Sequence, residues 1–121
     1  MKSAGKILVC DDDVSILDVI DIALTEYGYT VKTLTPNQPV LDIICEFKPD
    51  LIMLDLWMPG IEGSHLAKII KKDSDLKHIP IIVISAMTDT AKIAKQMKVE
   101  GYLPKPFSLA DLTALVRKWV N

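Results

Sequence analysis

Two hydrophobic periods alternate along the chain. Short, near-continuous apolar runs are each followed by a segment whose apolar residues recur at helical spacing. The first run, Lys6–Cys10 (KILVC), is cut off by Asp11-Asp12-Asp13. A helix is expected next, with Ile16, Ile20, Ala23 and Tyr27 on one stripe and Leu17 and Leu24 beside it. Asp18, Asp21 and Glu26 face outward, and Gly28 stops the helix. Thr30–Leu34 is a weaker strand, 35–37 (TPN) a turn, and Val40, Leu41, Ile44 and Phe47 mark a short helix closed before Pro49. Strands follow at 50–54 (DLIML), 80–84 (PIIVI) and 102–103. Between and after them come helices carrying Leu66, Ala67, Ile69 and Ile70, then Ala91, Ile93, Ala94 and Met97, then Leu112, Leu115, Val116 and Trp119. Residues 58–60 (MPG) read as loop. The caps expected for the last three helices are Ser64, Thr88 or Asp89, and Ser108 with Asp111 three positions on.

Five βα units in a row predict an α/β fold. Strands apolar on both faces are those of a parallel sheet covered by helices on either side, and right-handed crossovers leave few topologies. The 121 residues suit one domain over 1–121. Half of them are hydrophobic and a quarter charged, enough to bury a core without disulfide staples. Lys+Arg number 14 against 16 Asp+Glu, a net charge of −2 that argues against direct nucleic-acid contact. Cys10 and Cys45 form no CxxC and no framework, and both are expected to pack as small buried hydrophobes in a reducing compartment. No apolar run approaches the ~20 residues of a bilayer span, and the first six residues lack a signal-peptide core, so a cytoplasmic protein without membrane contact is expected.

The candidate chemistry lies where the strands stop. Asp11 and Asp12 follow the first strand, Asp55 the third, Ser85 the fourth and Lys105 the fifth. In an open parallel sheet these ends share one edge, and ligands bind in the crevice outside it. Carboxylates ~4 Å apart repel by about 4 kcal/mol per pair at an effective dielectric of ~20, so this crevice calls for a cation. Oxygen-only ligands with room for water and phosphate suit Mg²⁺. A carboxylate can attack phosphorus to form an acyl phosphate while a metal and a lysine neutralise the equatorial oxygens. Asp55, on the middle strand, is the expected nucleophile, with Asp11 and Asp12 as metal holders. Asp13 is expected to cap the next helix rather than to ligate. His65 and His78 lie away from the crevice and have no second ligand at metal spacing.

The segments ILVCDDD, DLIMLDLWMPGIEG, PIIVISA and YLPKPF, in this order and at these intervals, resemble the receiver domain of two-component response regulators of the chemotaxis-receiver type, over nearly the whole chain. The resemblance implies a flavodoxin-like (βα)5 doubly wound, five-stranded parallel sheet in strand order 2-1-3-4-5. It implies Asp55 as phosphoacceptor and a Mg²⁺ site of Asp11, Asp12, Asp55 and the Trp57 backbone carbonyl. It further implies Ser85 and Tyr102 as switch residues, Lys105 as the phosphate contact, and a cis Lys105–Pro106 bond. The phosphoryl group would come from a sensor histidine kinase or a histidine phosphotransfer protein. The response would be a changed binding face of the fourth helix, fifth strand and fifth helix, presented to a downstream target protein. Such a chain is a signalling switch in a phosphorelay and not an enzyme, beyond self-phosphotransfer and slow self-dephosphorylation.

Three departures from the family pattern stand out. The step from Ser85 to Lys105 is shorter than usual, Lys98 stands where glycine is common, and Trp57 and Met87 are bulky beside the acceptor. Two apolar groups there should exclude attacking water, so a long-lived phosphoryl group is predicted. A half-life of seconds for the isolated protein in Mg²⁺ would contradict that. No output domain follows the fifth helix in this sequence, so action through a separate target is expected. A receiver fragment of a hybrid kinase or of a DNA-binding regulator is the alternative. A rival of another class, an aspartyl-phosphate phosphatase of the haloacid-dehalogenase type, needs a second acid two positions after its nucleophile, and Trp57 occupies that place. The lysines at 68, 71, 72 and 77, and at 92, 95 and 98, read as solvated faces or as a docking surface for an acidic partner.

Overall fold

The computed structural model describes residues 5–58, 61–86 and 90–120. The chain runs β1 (Lys6–Cys10), α1 (Val14–Glu26), β2 (Thr30–Leu34), α2 (Val40–Phe47), β3 (Leu51–Asp55), β4 (Trp57–Met58), β5 (Ile61–Glu62), α3 (Gly63–Lys72), β6 (Ile81–Ser85), α4 (Thr90–Met97), β7 (Gly101–Pro104) and α5 (Leu109–Trp119). Five strands form one parallel sheet in the order β2-β1-β3-β6-β7. Counting the main strands alone, this is the expected order 2-1-3-4-5. Met58, expected as loop, instead belongs to β4, which pairs antiparallel with β5 as a separate two-stranded ribbon.

Strand alternation divides the core into two layers. Leu8, Cys10, Ile52, Leu54, Ile81 and Val83 point to the side covered by α2, α3 and α4, where Ile44, Leu66, Ile70 and Ala94 meet them. Ile7, Val9, Leu51, Met53, Ile82, Ile84 and Leu103 point to the other side, against Leu17, Ile20 and Leu24 of α1 and Leu112 and Val116 of α5. Successive strand residues face opposite ways, and in β1, β3 and β6 both faces are dry, which is why those runs read as continuously apolar.

The helix ends follow from identifiable groups. Asp13 Oδ1 accepts from the Ser15 and Ile16 backbone N–H groups, so Asp13 is the cap expected of it. Gly28 adopts φ 93° after α1 and its N–H donates to the Thr25 carbonyl. Ser108 Oγ accepts from the Asp111 N–H. Helix α3 begins at Gly63, ahead of the expected Ser64 cap. Thr88 and Asp89 lie outside the described residues. Lys98 ends the α4 segment at φ 59°, a left-handed conformation that glycine adopts without the Cβ penalty and lysine does not. Helix α4, on the shortened segment, has 8 residues.

Several buried positions differ from expectation. The inner stripe of α1 is Leu17, Ile20, Ala23 and Leu24, while Ile16 is half-buried and Tyr27 is exposed. Tyr27 has left the helical path as the C-cap residue, so the period does not extend to it. Ile69 is exposed because Leu66, Ala67 and Ile70 already fill the sheet-facing side of α3. Cys45 is exposed, not buried, since Ile44 beside it takes the inward position on α2.

Candidate functional site

The strand register assembles the site. Cys10 pairs with Leu54, so Asp11, one step on, lies beside Asp55 at the end of β3. Asp55 pairs with Ile84, which puts Ser85 one step further along β6. Ser85 pairs with Pro104, and Lys105 follows, its backbone N–H donating to the Ser85 carbonyl at 2.8 Å. Four neighbouring strands thus deliver Asp11, Asp55, Ser85 and Lys105 to the carboxyl edge of the sheet in lateral sequence. The Lys105–Pro106 bond is cis, as expected.

Asp11, Asp12 and Asp55 each offer a carboxylate oxygen, and these atoms all lie within 4.8 Å of one another. Asp11 and Asp55 are buried, and Asp12 is exposed. Lys105 Nζ stands between the two buried acids, 3.0 Å from Asp11 Oδ2 and 3.3 Å from Asp55 Oδ2. Burial alone would lower the Lys105 pKa. Hydrogen bonding and attraction from Asp11, and then from Asp55, outweigh it and hold the ammonium above its ordinary value. Asp11 is oriented from behind, because its Oδ1 accepts from the Asp13 N–H at 2.9 Å. Its Oδ2 is buried and meets the Lys105 ammonium. A fixed, buried carboxylate, a second acid in solvent contact and a third on the adjoining strand form an oxygen-only donor set suited to a hard divalent ion such as Mg²⁺.

Cys10 sits beneath these acids. Burial, followed by the negative charges of Asp11, Asp55 and Asp12, pushes its thiol up to about 12, so it stays protonated and weakly nucleophilic at neutral pH. Cys10 is the small buried hydrophobe expected, and its place just before three aspartates is the sequence signal for this coupling.

Tyr102 lies on β7, pairs with Val83 and is 42% exposed. It lines a groove of about 840 Å³ with Ala91, Ala94, Leu115 and Trp119. Trp119, expected on the inner stripe of α5, is instead 37% exposed at the end of this groove, because Leu112 and Val116 supply the buried contacts. His65 and His78 are exposed and absent from the acidic cluster. Met87 and the Trp57 side chain lie outside the described residues. An ion pair not foreseen at all joins Lys71 of α3 to Glu100, 2.6 Å apart, and Glu100 also accepts from the Ile81 N–H. Lys71 is therefore not simply solvated, and no local spacing signals a pairing across 29 residues.

A doubly wound parallel sheet with an acidic pocket and a lysine at its carboxyl edge defines a narrow class of signalling domains. Residues 7–117 match the response regulator receiver domain, and the chain belongs to that family. It is 32% identical over 114 residues to the DNA-binding response regulator MtrA of Mycolicibacterium paratuberculosis, an alignment covering 93% of this chain and 49% of the relative. It is 35% identical to the probable transcriptional regulator ycf27 of Cyanophora paradoxa, covering 93% and 46%. The chemotaxis response regulator CheY4 of Vibrio cholerae superposes with a TM-score of 0.87 at 27% identity, covering 96% of this chain and 98% of that one. The chain thus spans about half the length of the curated relatives it matches. Because those relatives are named as DNA-binding or transcriptional regulators, the expectation of no nucleic-acid partner gains no support from them. Receiver domains are signalling domains, not enzymes in the usual sense. Among the described residues, no helix is long and apolar enough to cross a membrane.

Proposed function

We propose that this chain is a phosphorylation-controlled switch that takes a phosphoryl group from a phosphohistidine onto Asp55. The observation that carries the reading is the approach of Asp11, Asp12 and Asp55 to within 4.8 Å of one another, with the Lys105 ammonium at the two buried acids. Asp55 is the acceptor because it ends the central strand and faces Lys105. Its carboxylate oxygen attacks phosphorus as the phosphorus–nitrogen bond to the donor imidazole breaks. The bonding pair leaves with the imidazole, which is reprotonated from solvent. Asp11, Asp12, Asp55 and the Trp57 carbonyl would hold Mg²⁺, which would supply the positive charge that three carboxylates and an incoming phosphoryl group require. Lys105 transfers its ion pairing from carboxylate to phosphoryl oxygen, and the Ser85 hydroxyl donates to another.

That exchange links the site to the surface. Lys105 and Ser85 adjoin β7 and β6, and Tyr102 stands on β7 beside the groove formed with α4 and α5. Phosphorylation would draw Ser85 and Tyr102 inward and shift the balance between two forms of this face, altering its affinity for a target protein. The partners are a sensor histidine kinase or a histidine phosphotransfer protein upstream, and that target downstream.

The test is Trp57 fluorescence during titration with beryllofluoride in Mg²⁺. The wild type should show a saturable change that is absent in EDTA and absent in Asp55→Asn. No change in the wild type, or an equal change in the variant, would refute the assignment. Sustained turnover of a small phosphoester would instead favour the phosphatase reading.

A further inference from the structure

Charge is distributed unevenly over the helices. α1 carries Asp18, Asp21 and Glu26, and α2 carries Asp42 and Glu46, with no cation on either. α3 carries Lys68, Lys71 and Lys72, α4 carries Lys92 and Lys95, and Lys98 follows it, with no carboxylate in either helix. A molecule of net charge −2 therefore has one strongly basic face. Between α3 and α4 this face is indented by a groove of about 670 Å³, lined by His65, Lys68, Lys72, Gln96, Met97 and Lys98, with Lys71 at its side. Lys71 is engaged by Glu100. His65, Lys68, Lys72 and Lys98 are exposed, and among the described residues none has a carboxylate at ion-pair distance.

We infer that the α3–α4 groove docks an acidic, amphipathic segment of a partner protein. Three unpaired lysines supply the charge that such a segment complements. The half-buried Met97 offers an adaptable apolar contact, and the Gln96 amide can both donate to and accept from a peptide backbone. A nucleic acid fits less well. The lining has no arginine and no Phe, Tyr or Trp on which bases could stack. A long polyanion continuing across this side of the sheet would also run towards Asp42 and Glu46 of α2, which packs on the same face. The inference does not depend on the phosphoacceptor reading, because the groove lies on helices outside the acidic pocket.

The probe is a fluorescein-labelled peptide of alternating glutamate and leucine, followed by fluorescence anisotropy against the full chain at low salt. Saturable binding is expected, weakened by added salt and lost when the glutamates are replaced by glutamine. Exposed pairs contribute modestly one by one, so the triple substitution Lys68→Gln, Lys72→Gln, Lys98→Gln should weaken binding about tenfold, while Lys32→Gln on β2 leaves it unchanged. Amide chemical-shift changes in the unmodified protein should cluster on residues 65–72 and 96–98, which keeps the test independent of how the variants fold. The inference is overturned by an absence of binding, by shifts centred elsewhere, by equal binding of the triple variant, or by a single-stranded oligonucleotide that binds as tightly as the peptide. Asp55→Asn should bind the peptide as the wild type does, which separates failure here from failure of the phosphorylation assignment.

Discussion

Asp55→Asn should reduce Mg²⁺-dependent uptake of phosphate from a phosphohistidine donor by more than about a thousandfold, to background. An amide is isosteric with the carboxylate but has no anionic oxygen to attack phosphorus, and no neighbouring group can replace it. Asp11 is buried with one oxygen tied to the Asp13 N–H and the other against Lys105, and Asp12 faces solvent. Neither is placed on the central strand. The variant should remain folded, since substitution removes one charge from a crowded acidic pocket. A circular dichroism spectrum like that of the wild type, together with the loss of labelling, is the expected pair of results. Labelling within tenfold of wild type would show that the acceptor lies elsewhere.

The second large effect concerns stability. Lys105→Met removes the ammonium that stands 3.0 Å from Asp11 and 3.3 Å from Asp55. Two buried carboxylates then face each other without compensation. Removing one partner of a buried ion pair costs about 3–5 kcal/mol, because the remaining charge is left desolvated. Urea unfolding in EDTA should show a loss near the lower end of that range, as Lys105 keeps some solvent contact. Added Mg²⁺ should restore much of the loss by taking over the neutralising role, and Asp11→Asn in the same chain should restore part of it without metal. Equal stability of Lys105→Met and wild type in EDTA would mean that the pocket is not electrostatically strained.

The fold was readable because parallel strands leave a plain signature, apolar on both faces and cut off by polar residues at one end. That same signature located Asp11, Asp55, Ser85 and Lys105, since the end of a parallel strand is a position in space as well as in sequence. What escaped the reading depends on tertiary choice. Tyr27 and Trp119 match the helical period, yet the first is turned away by the helix end and the second borders a surface groove. Cys45 is apolar in type and exposed in fact, because a short helix has room for few inward residues and Val40 and Ile44 fill them. The β4–β5 ribbon is made of two-residue strands, too short to produce any alternation. The Lys71–Glu100 pair joins elements far apart in the chain, and either residue alone looks like ordinary surface.

The most direct test of the central claim is to map the phosphorylated residue. The protein is incubated with a phosphohistidine donor, in Mg²⁺ and in parallel in EDTA, then trapped by borohydride reduction and digested for mass spectrometry. The account predicts modification of Asp55 alone, dependent on the metal. Modification of Asp11, Asp12 or any other residue, or equal labelling of Asp55 in EDTA, would contradict it.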